Sequence, residues 1–247
     1  MVSLVPSITE TLFALEVGER VVGVTDFCVH PAEAVQAKTR VGGTKHPSLE
    51  RITELRPDLV LANKEENRRR DVERLEAAGV RVFVLYARSV RQAVDELRAL
   101  GALTRTEARA QIIIEEVEQA WAIAKAQTPE PRPRVVALIW KRPYMAVGGD
   151  TFAHDMLVQS GGTNPFAHEL RRYPRVDTAR LAAAQPDVIL LPTEPYAFGE
   201  EDRLELLDLE CPAARDGRIH VVEGELLSWY GPRMARALRV LSGLIIG

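Results

Sequence analysis

Cysteine is scarce. Cys28 and Cys211 are the only two in 247 residues, and they lie far apart. A disulfide framework is thereby excluded as the organising principle. Aromatics are also few, at 6%. No run approaches roughly 18 uninterrupted apolar residues, so no segment has the pattern of a membrane-spanning helix. Neither sign of charge dominates, because 32 basic and 35 acidic residues leave a formal net charge of −3. That balance excludes a strongly basic nucleic-acid binder and an acidic disordered chain. No cationic leader or long apolar segment precedes Val2-Ser3-Leu4-Val5. The expectation is therefore a cytoplasmic chain as it stands, or an extracytoplasmic one if its gene encodes a leader. What the chain does have is apolar material, 46% of residues, enough for one large domain or two lobes.

Short apolar runs alternate with helical patterns. Val2 to Val5 reads as a strand, and Ser7-Ile8-Thr9-Glu10 matches a capping box that opens a helix from Thr11 to Val17, ended by Gly18. Val21 to Val24 is a second strand. Ser48 is placed to cap a helix running to Arg56, stopped by Pro57. Leu59 to Ala62 reads as a buried strand, Asp71 to Ala78 as an amphipathic helix ended by Gly79, and Val80 to Tyr86 as a further strand. This alternation predicts an α/β lobe with mainly parallel strands.

Thr104-Arg105-Thr106-Glu107 matches a second capping box, and no Gly or Pro follows before Gln127. Such a helix is about 35 Å long, a suitable spacer between two halves. A second α/β pattern begins after the proline-rich segment 128–133. Val135 to Trp140 is a strand, Thr151 to Ser160 a helix stopped by Gly161-Gly162, and Asp177 caps a short helix to Gln185. Val188 to Leu191 and Ile219 to Val222 are strands, and Pro232 to Leu241 is a terminal helix.

The halves echo each other. Ser48 to Leu61 and the stretch from Thr178 to Leu190 both read as short helix, Pro-Asp, apolar strand, with Pro57 and Pro186 separated by 129 residues. The expected organisation is an N-terminal α/β lobe at 1–103, a connecting helix at 104–127 and a C-terminal α/β lobe at 128–247. A cleft between such lobes is a preferred ligand site.

The stretches Val2 to Glu10, Val21 to Thr25, Leu49-Glu50-Arg51-Ile52 and Pro57-Asp58-Leu59-Val60 resemble the substrate-binding proteins of cobalamin, haem and ferric-siderophore ABC importers. The cobalamin-binding branch is the most similar, and the resemblance extends to Gly231-Pro232-Arg233. It implies two similar lobes with mainly parallel sheets, a single rigid helical connector and a ligand held in the cleft. It also implies that Glu50 docks a membrane permease. The second docking glutamate would fall near Ala179, which cannot form the same ion pair, so either a neighbour such as Asp177 takes its place or the chain does not dock in the usual way.

Four loops follow predicted strands, where ligands bind in parallel α/β folds. The first holds Phe27, Cys28 and His30. Thiolate and imidazole suit zinc, copper or cobalt, and Cys28 equally suits a buried apolar position. The resemblance implies aromatic contact to a corrin from Phe27, and His30 is a candidate ligand to its cobalt. The second loop holds paired glycines, then Thr44 and Lys45. Relatives often carry a large aromatic at the position of Thr44, so this pocket is expected to differ from theirs, with Lys45 available to a carboxylate or phosphate. The third holds Lys64, Glu65 and Asn67, the last also a candidate helix cap. The fourth set lies in the second half: Trp140, Arg142 and Tyr144, then Trp229, Tyr230 and Arg233. Its aromatic rings offer flat surfaces to a ring-shaped ligand, and its arginines offer forked contacts. His154, His168 and His220 have no metal-like spacing and read as structural.

The leading expectation is a non-enzymatic protein that captures a corrinoid or another metal chelate for an ABC importer, with no cofactor of its own. A second is a cytoplasmic carrier or sensor of the same fold without a transporter. A third is an enzyme using Cys28 and His30 as thiol and base, although no oriented third group, phosphate-binding glycine fingerprint or Gly-x-Ser-x-Gly elbow accompanies them. A fourth is a receptor for a free transition metal, with Glu65 added to Cys28 and His30.

Overall fold

The computed structural model describes residues 1–247. The chain forms two compact units. Unit one comprises residues 1–87, 93–114 and 230–232, and unit two comprises 88–92, 115–229 and 233–247.

Unit one begins with β1 (Val2–Ser3), α1 (Pro6–Ala14), β2 (Gly23–Val24), α2 (Ala32–Gln36) and β3 (Thr39–Arg40). It continues with α3 (Leu49–Glu54), β4 (Val60–Asn63), α4 (Arg69–Ala77), β5 (Val82–Leu85) and α5 (Val90–Thr104). The chain then leaves through α6 (Glu107–Gln127). The five strands are parallel, in the order β3-β2-β1-β4-β5. The order reverses between β1 and β4, which opens a crevice at their carboxyl ends. Leu4, Leu12, Ile52, Leu61, Leu75 and Leu97 are almost fully enclosed. Each such side chain stabilises the fold by about 1.5–3 kcal/mol relative to exposure.

Unit two contains β6 (Val135–Trp140), β7 (Tyr144–Ala146), α7 (Phe152–Gln159), β8 (Arg175–Val176), α8 (Thr178–Ala183) and β9 (Val188–Pro192). It ends with α9 (Glu200–Leu206), α10 (Pro212–Arg215), β10 (Ile219–Val222), α11 (Glu225–Ser228) and α12 (Arg233–Ile246). The sheet order is β10-β9-β6-β7-β8. β6, β9 and β10 are parallel, while β7 runs antiparallel to both β6 and β8. Leu138, Ile189, Leu191, Leu181 and Phe166 form part of its core.

Both expected capping boxes are absent. Proline suits the first helical position because its φ is already fixed there, so Pro6 starts α1 ahead of Ser7, with Val5 as an N-cap that makes no side-chain bond. Thr9 turns its hydroxyl to the Val5 carbonyl and to Ser3 Oγ instead. Thr104 belongs to the end of α5, where its hydroxyl bonds Leu100 O at 2.7 Å. Gly101 lets α5 and α6 approach, since a Cβ there would lie 2.6 Å from that of Ala110.

The echo is structural. Ser48 accepts from Arg51 N at 3.3 Å, and Asp177, 129 residues on, accepts from Arg180 N at 2.8 Å. Arg56 and Gln185 occupy matching positions before Pro57 and Pro186, with φ of 43° and 44°. Both short helices then deliver the chain into interior strands next to a sheet edge, β4 and β9.

Candidate functional site

In unit one the segments after β1, β3 and β4 are bound together. Asn67 is the knot. Its Oδ1 accepts from Asn63 N at 2.8 Å, and its Nδ2 donates to Leu4 O at 3.3 Å and Thr44 O at 2.9 Å. It therefore does not cap α4, whose N-cap is Arg68. Buried and fully engaged, Asn67 is a positioning residue for those segments, and Thr44 is buried beside it. Asn63, also buried, accepts from Glu65 N at 2.8 Å and donates to Tyr230 Oη at 3.1 Å. Lys45 Nζ donates to the Glu65 carbonyl.

Phe27 stands 61% exposed after β2, with Val29 beside it. A Cβ at Gly43 would touch the Phe27 ring at an ordinary 3.4 Å, while Gly42 takes a φ of 93° that favours glycine. Lys64 is exposed and lies 4.5 Å from the centre of the Tyr86 ring, a cation–π distance. Glu65 and His30 are half-buried.

Cys28 takes the buried one of its two expected positions. It is fully enclosed, and its Sγ sits 3.1 Å from the hydroxyls of both Thr9 and Thr25. A thiol so enclosed cannot attack a substrate or reach a ligand, which removes the support for a Cys28–His30 enzyme. No group of three or more His, Cys, Asp or Glu converges anywhere in the molecule. The receptor for a free metal built on Cys28, His30 and Glu65 therefore lacks its donor set.

In unit two the parallel strands β6 and β9 bring Trp140 and the loop after β9 together at their carboxyl ends. Trp140, 43% exposed, meets the Tyr196 ring edge-on at 5.8 Å, and Tyr196 meets Phe198 at 4.6 Å. Tyr196, half-buried, backs Trp140, and Phe198 is buried in the core of the unit; neither was singled out in the sequence, where nothing periodic marks the loop. The only signal was their place after an apolar strand.

The residues after Trp140 are held from behind. Lys141 is buried and donates to Asp202 Oδ1 at 2.6 Å and Glu205 Oε2 at 2.5 Å. Those bonds hold the ammonium charged well past its ordinary pKa. Tyr144, expected at the ligand, is buried instead and donates to Glu205 Oε1 at 3.1 Å. Burial and that carboxylate push its pKa up to about 12. Arg142 is exposed at the tip of the β6–β7 turn.

Trp229 is also buried rather than offered as a surface. Its Nε1 donates to Glu194 Oε1 at 3.2 Å, Arg233 lies 4.9 Å from its ring centre, and Arg233 pairs with Glu225. Loss of water around the Glu194 carboxylate raises its pKa, and nearby Glu225 adds to the effect. Tyr230 in unit one is half-buried, and burial raises its pKa well above that of free tyrosine, so it stays a neutral phenol.

Two mainly parallel α/β units linked through one long helix, with exposed aromatic rings at strand carboxyl ends, define the architecture of a substrate-binding protein. Residues 1–208 match the periplasmic binding protein family, and the chain belongs to it. The chain is 30% identical over 192 residues to the vitamin B12-binding protein of Salmonella typhi, covering 77% of this chain and 71% of the relative. It is 23% identical over 239 residues to that of Vibrio parahaemolyticus, covering 96% and 86%. The periplasmic haem-binding protein RhuT of a Roseiflexus species is similar in structure, with TM-score 0.85 and 26% identity over 99% of this chain and 97% of that one. The periplasmic vitamin B12-binding protein BtuF of Vibrio cholerae shares the fold at TM-score 0.85 and 21% identity, over 99% and 95%. The resemblance read from the sequence is thus borne out for family and fold.

Proposed function

We propose that the chain is a non-enzymatic receptor that captures a planar metal chelate, a corrinoid first, and delivers it to an ABC importer. The observation that carries this reading is the exposed Trp140, backed edge-on by the half-buried Tyr196, at the carboxyl ends of β6 and β9. Flat rings exposed at strand ends suit a macrocycle, because they add apolar contact at low entropy cost. Phe27 is the matching ring in unit one.

The vitamin B12-binding proteins matched over 77% and 96% of the chain put a corrinoid first. A corrinoid brings its own axial ligands, so the enclosure of Cys28 is no obstacle to it. His30 is the residue assigned to cobalt, and its imidazole would serve haem iron as well. Glu50 is exposed on α3, where it is available to a permease.

Titration with cyanocobalamin, cobinamide and haemin, followed by tryptophan fluorescence, tests the proposal. Saturable one-to-one quenching by a corrinoid is expected. A protein silent to all three, or one that binds haemin alone, overturns the corrinoid reading. His30→Ala should change the visible spectrum of the bound corrinoid, and an unchanged spectrum removes the cobalt ligation.

A further inference from the structure

The two echoing corners carry different charge. On α3, Glu50 and Glu54 flank Arg51. On α8, 129 residues on, alanines 179 and 183 stand in their places while Arg180 is kept. The backbone anchor of the shared arginine is also kept. Arg51 Nη1 donates to Arg40 O at 3.4 Å and Arg180 Nη1 to Arg175 O at 3.2 Å. Unit two therefore retains the corner, replaces both helical glutamates by alanine and keeps an acid only at its cap, Asp177.

Basic residues gather in their stead. Glu169, Arg171, Pro174, Arg175 and Arg180 line a concavity of about 420 Å³. Arg180 is fixed by its ion pair with Glu169 and by the Phe166 ring, 5.4 Å away. Arg171 and Arg175 are exposed, and neither has a carboxylate partner. Between Glu169 and Arg171, Leu170 projects at 103% exposure, the most exposed large apolar side chain in the molecule.

We propose that this corner docks an acidic protein segment that carries an apolar residue. Its carboxylates meet the forks of Arg171 and Arg175, and its apolar side chain packs on Leu170. Planar guanidinium groups bind carboxylates in pairs of parallel bonds. The single carboxylate in the concavity is already spent on Arg180, which leaves two positive charges for the partner. The concave shape selects a protruding peptide. A lipid surface is flat on this scale and would leave the concavity unfilled.

The test is fluorescence anisotropy of a labelled Glu-Glu-Leu-Glu-Glu peptide, with its Lys-for-Glu counterpart as control. Mixed phosphatidylserine–phosphatidylcholine vesicles serve as the alternative probe. Wild type should bind the acidic peptide and release it as salt rises. Arg171→Glu with Arg175→Glu should weaken binding by about tenfold or more. Leu170→Ser should weaken it by about threefold. A second variant, Ala179→Glu with Ala183→Glu, leaves every arginine in place and restores the acids of α3, and it too should weaken binding. The proposal is overturned if wild type ignores the peptide, if both double variants bind it unchanged, or if vesicles are bound in preference. Corrinoid titration of the same variants is expected to be unchanged, which separates failure of this docking surface from failure of the chelate reading.

Discussion

The two units secure their strand-end surfaces by different chemistry. In unit one, neutral amides knit the loops: Asn63 and Asn67 satisfy backbone groups of three segments. In unit two, ions do the equivalent work, with Lys141 between Asp202 and Glu205, and Arg233 pairing with Glu225. Amide bonds carry no charge and respond little to pH or salt. Ion pairs respond to both. Asp202 illustrates the sign. Loss of water would raise its pKa, but the bonds from Lys141 and Gly199 N, together with the charges of Lys141 and Arg142, outweigh that and lower it. The stability it contributes is present above the ordinary carboxylate value and is lost as pH falls through the depressed one. The difference teaches that one sheet architecture can hold a rigid surface in one half and an acid-sensitive one in the other.

Asn67→Ala breaks the comparison most sharply. It strips partners from a buried N–H and two buried carbonyls, at a cost of about 3 kcal/mol. Chemical denaturation should show that loss, together with weaker chelate binding as the unit-one surface loosens. A wild-type denaturation midpoint would show that water replaces the amide without penalty.

The next effect sharpens the comparison at the ligand. Trp140→Ala should weaken corrinoid binding by about tenfold and Phe27→Ala by about threefold, since the indole is larger and braced by Tyr196. Equal losses would mean that both units grip the ligand alike. No loss in either variant would remove the aromatic surfaces from the site.

The smallest effect concerns the charged exception within unit one. Glu96 Oε1 accepts from Tyr86 N, while Oε2 is buried without a partner. Burial raises its pKa above the ordinary 4.5. The folded state therefore keeps a proton that the unfolded chain releases, and stability falls as pH rises from the ordinary value through the raised one. Glu96→Gln should flatten that slope and raise the neutral-pH melting temperature by about 2 °C. A slope identical to wild type would show that Glu96 ionises freely.

Much of the fold was legible. The strands at Leu59, Val135, Val188 and Ile219 announced themselves as apolar runs, and the Ser48 and Asp177 caps formed as their side chains required. The helix at 90–104 was not, because its polar and apolar residues offered no start signal as clear as the Thr104 motif that followed. β7 and β8 were missed because two- and three-residue strands carry no periodicity. The two capping boxes failed for a local reason: Pro6 and the end of α5 claimed the backbone positions first. At the site, Phe27, Trp140 and Arg142 are exposed as a ligand contact requires. Cys28, Asn67, Tyr144 and Trp229 have the right chemistry but are enclosed.

By itself, the sequence determined the α/β class, the family, the repeated helix–Pro-Asp–strand corner and the absence of Cys-based architecture. Those features rest on local periodicity, turn chemistry and residue type, which a linear chain displays directly. The tertiary structure alone decided which side chains face water. Burial depends on neighbours distant in sequence, such as Thr9 on Cys28, Asp202 on Lys141 and Leu4 on Asn67. It also showed that α8 kept the geometry of α3 while basic side chains gathered beside it, because arginines 171, 175 and 180 meet only when the loop before β8 folds back against the helix.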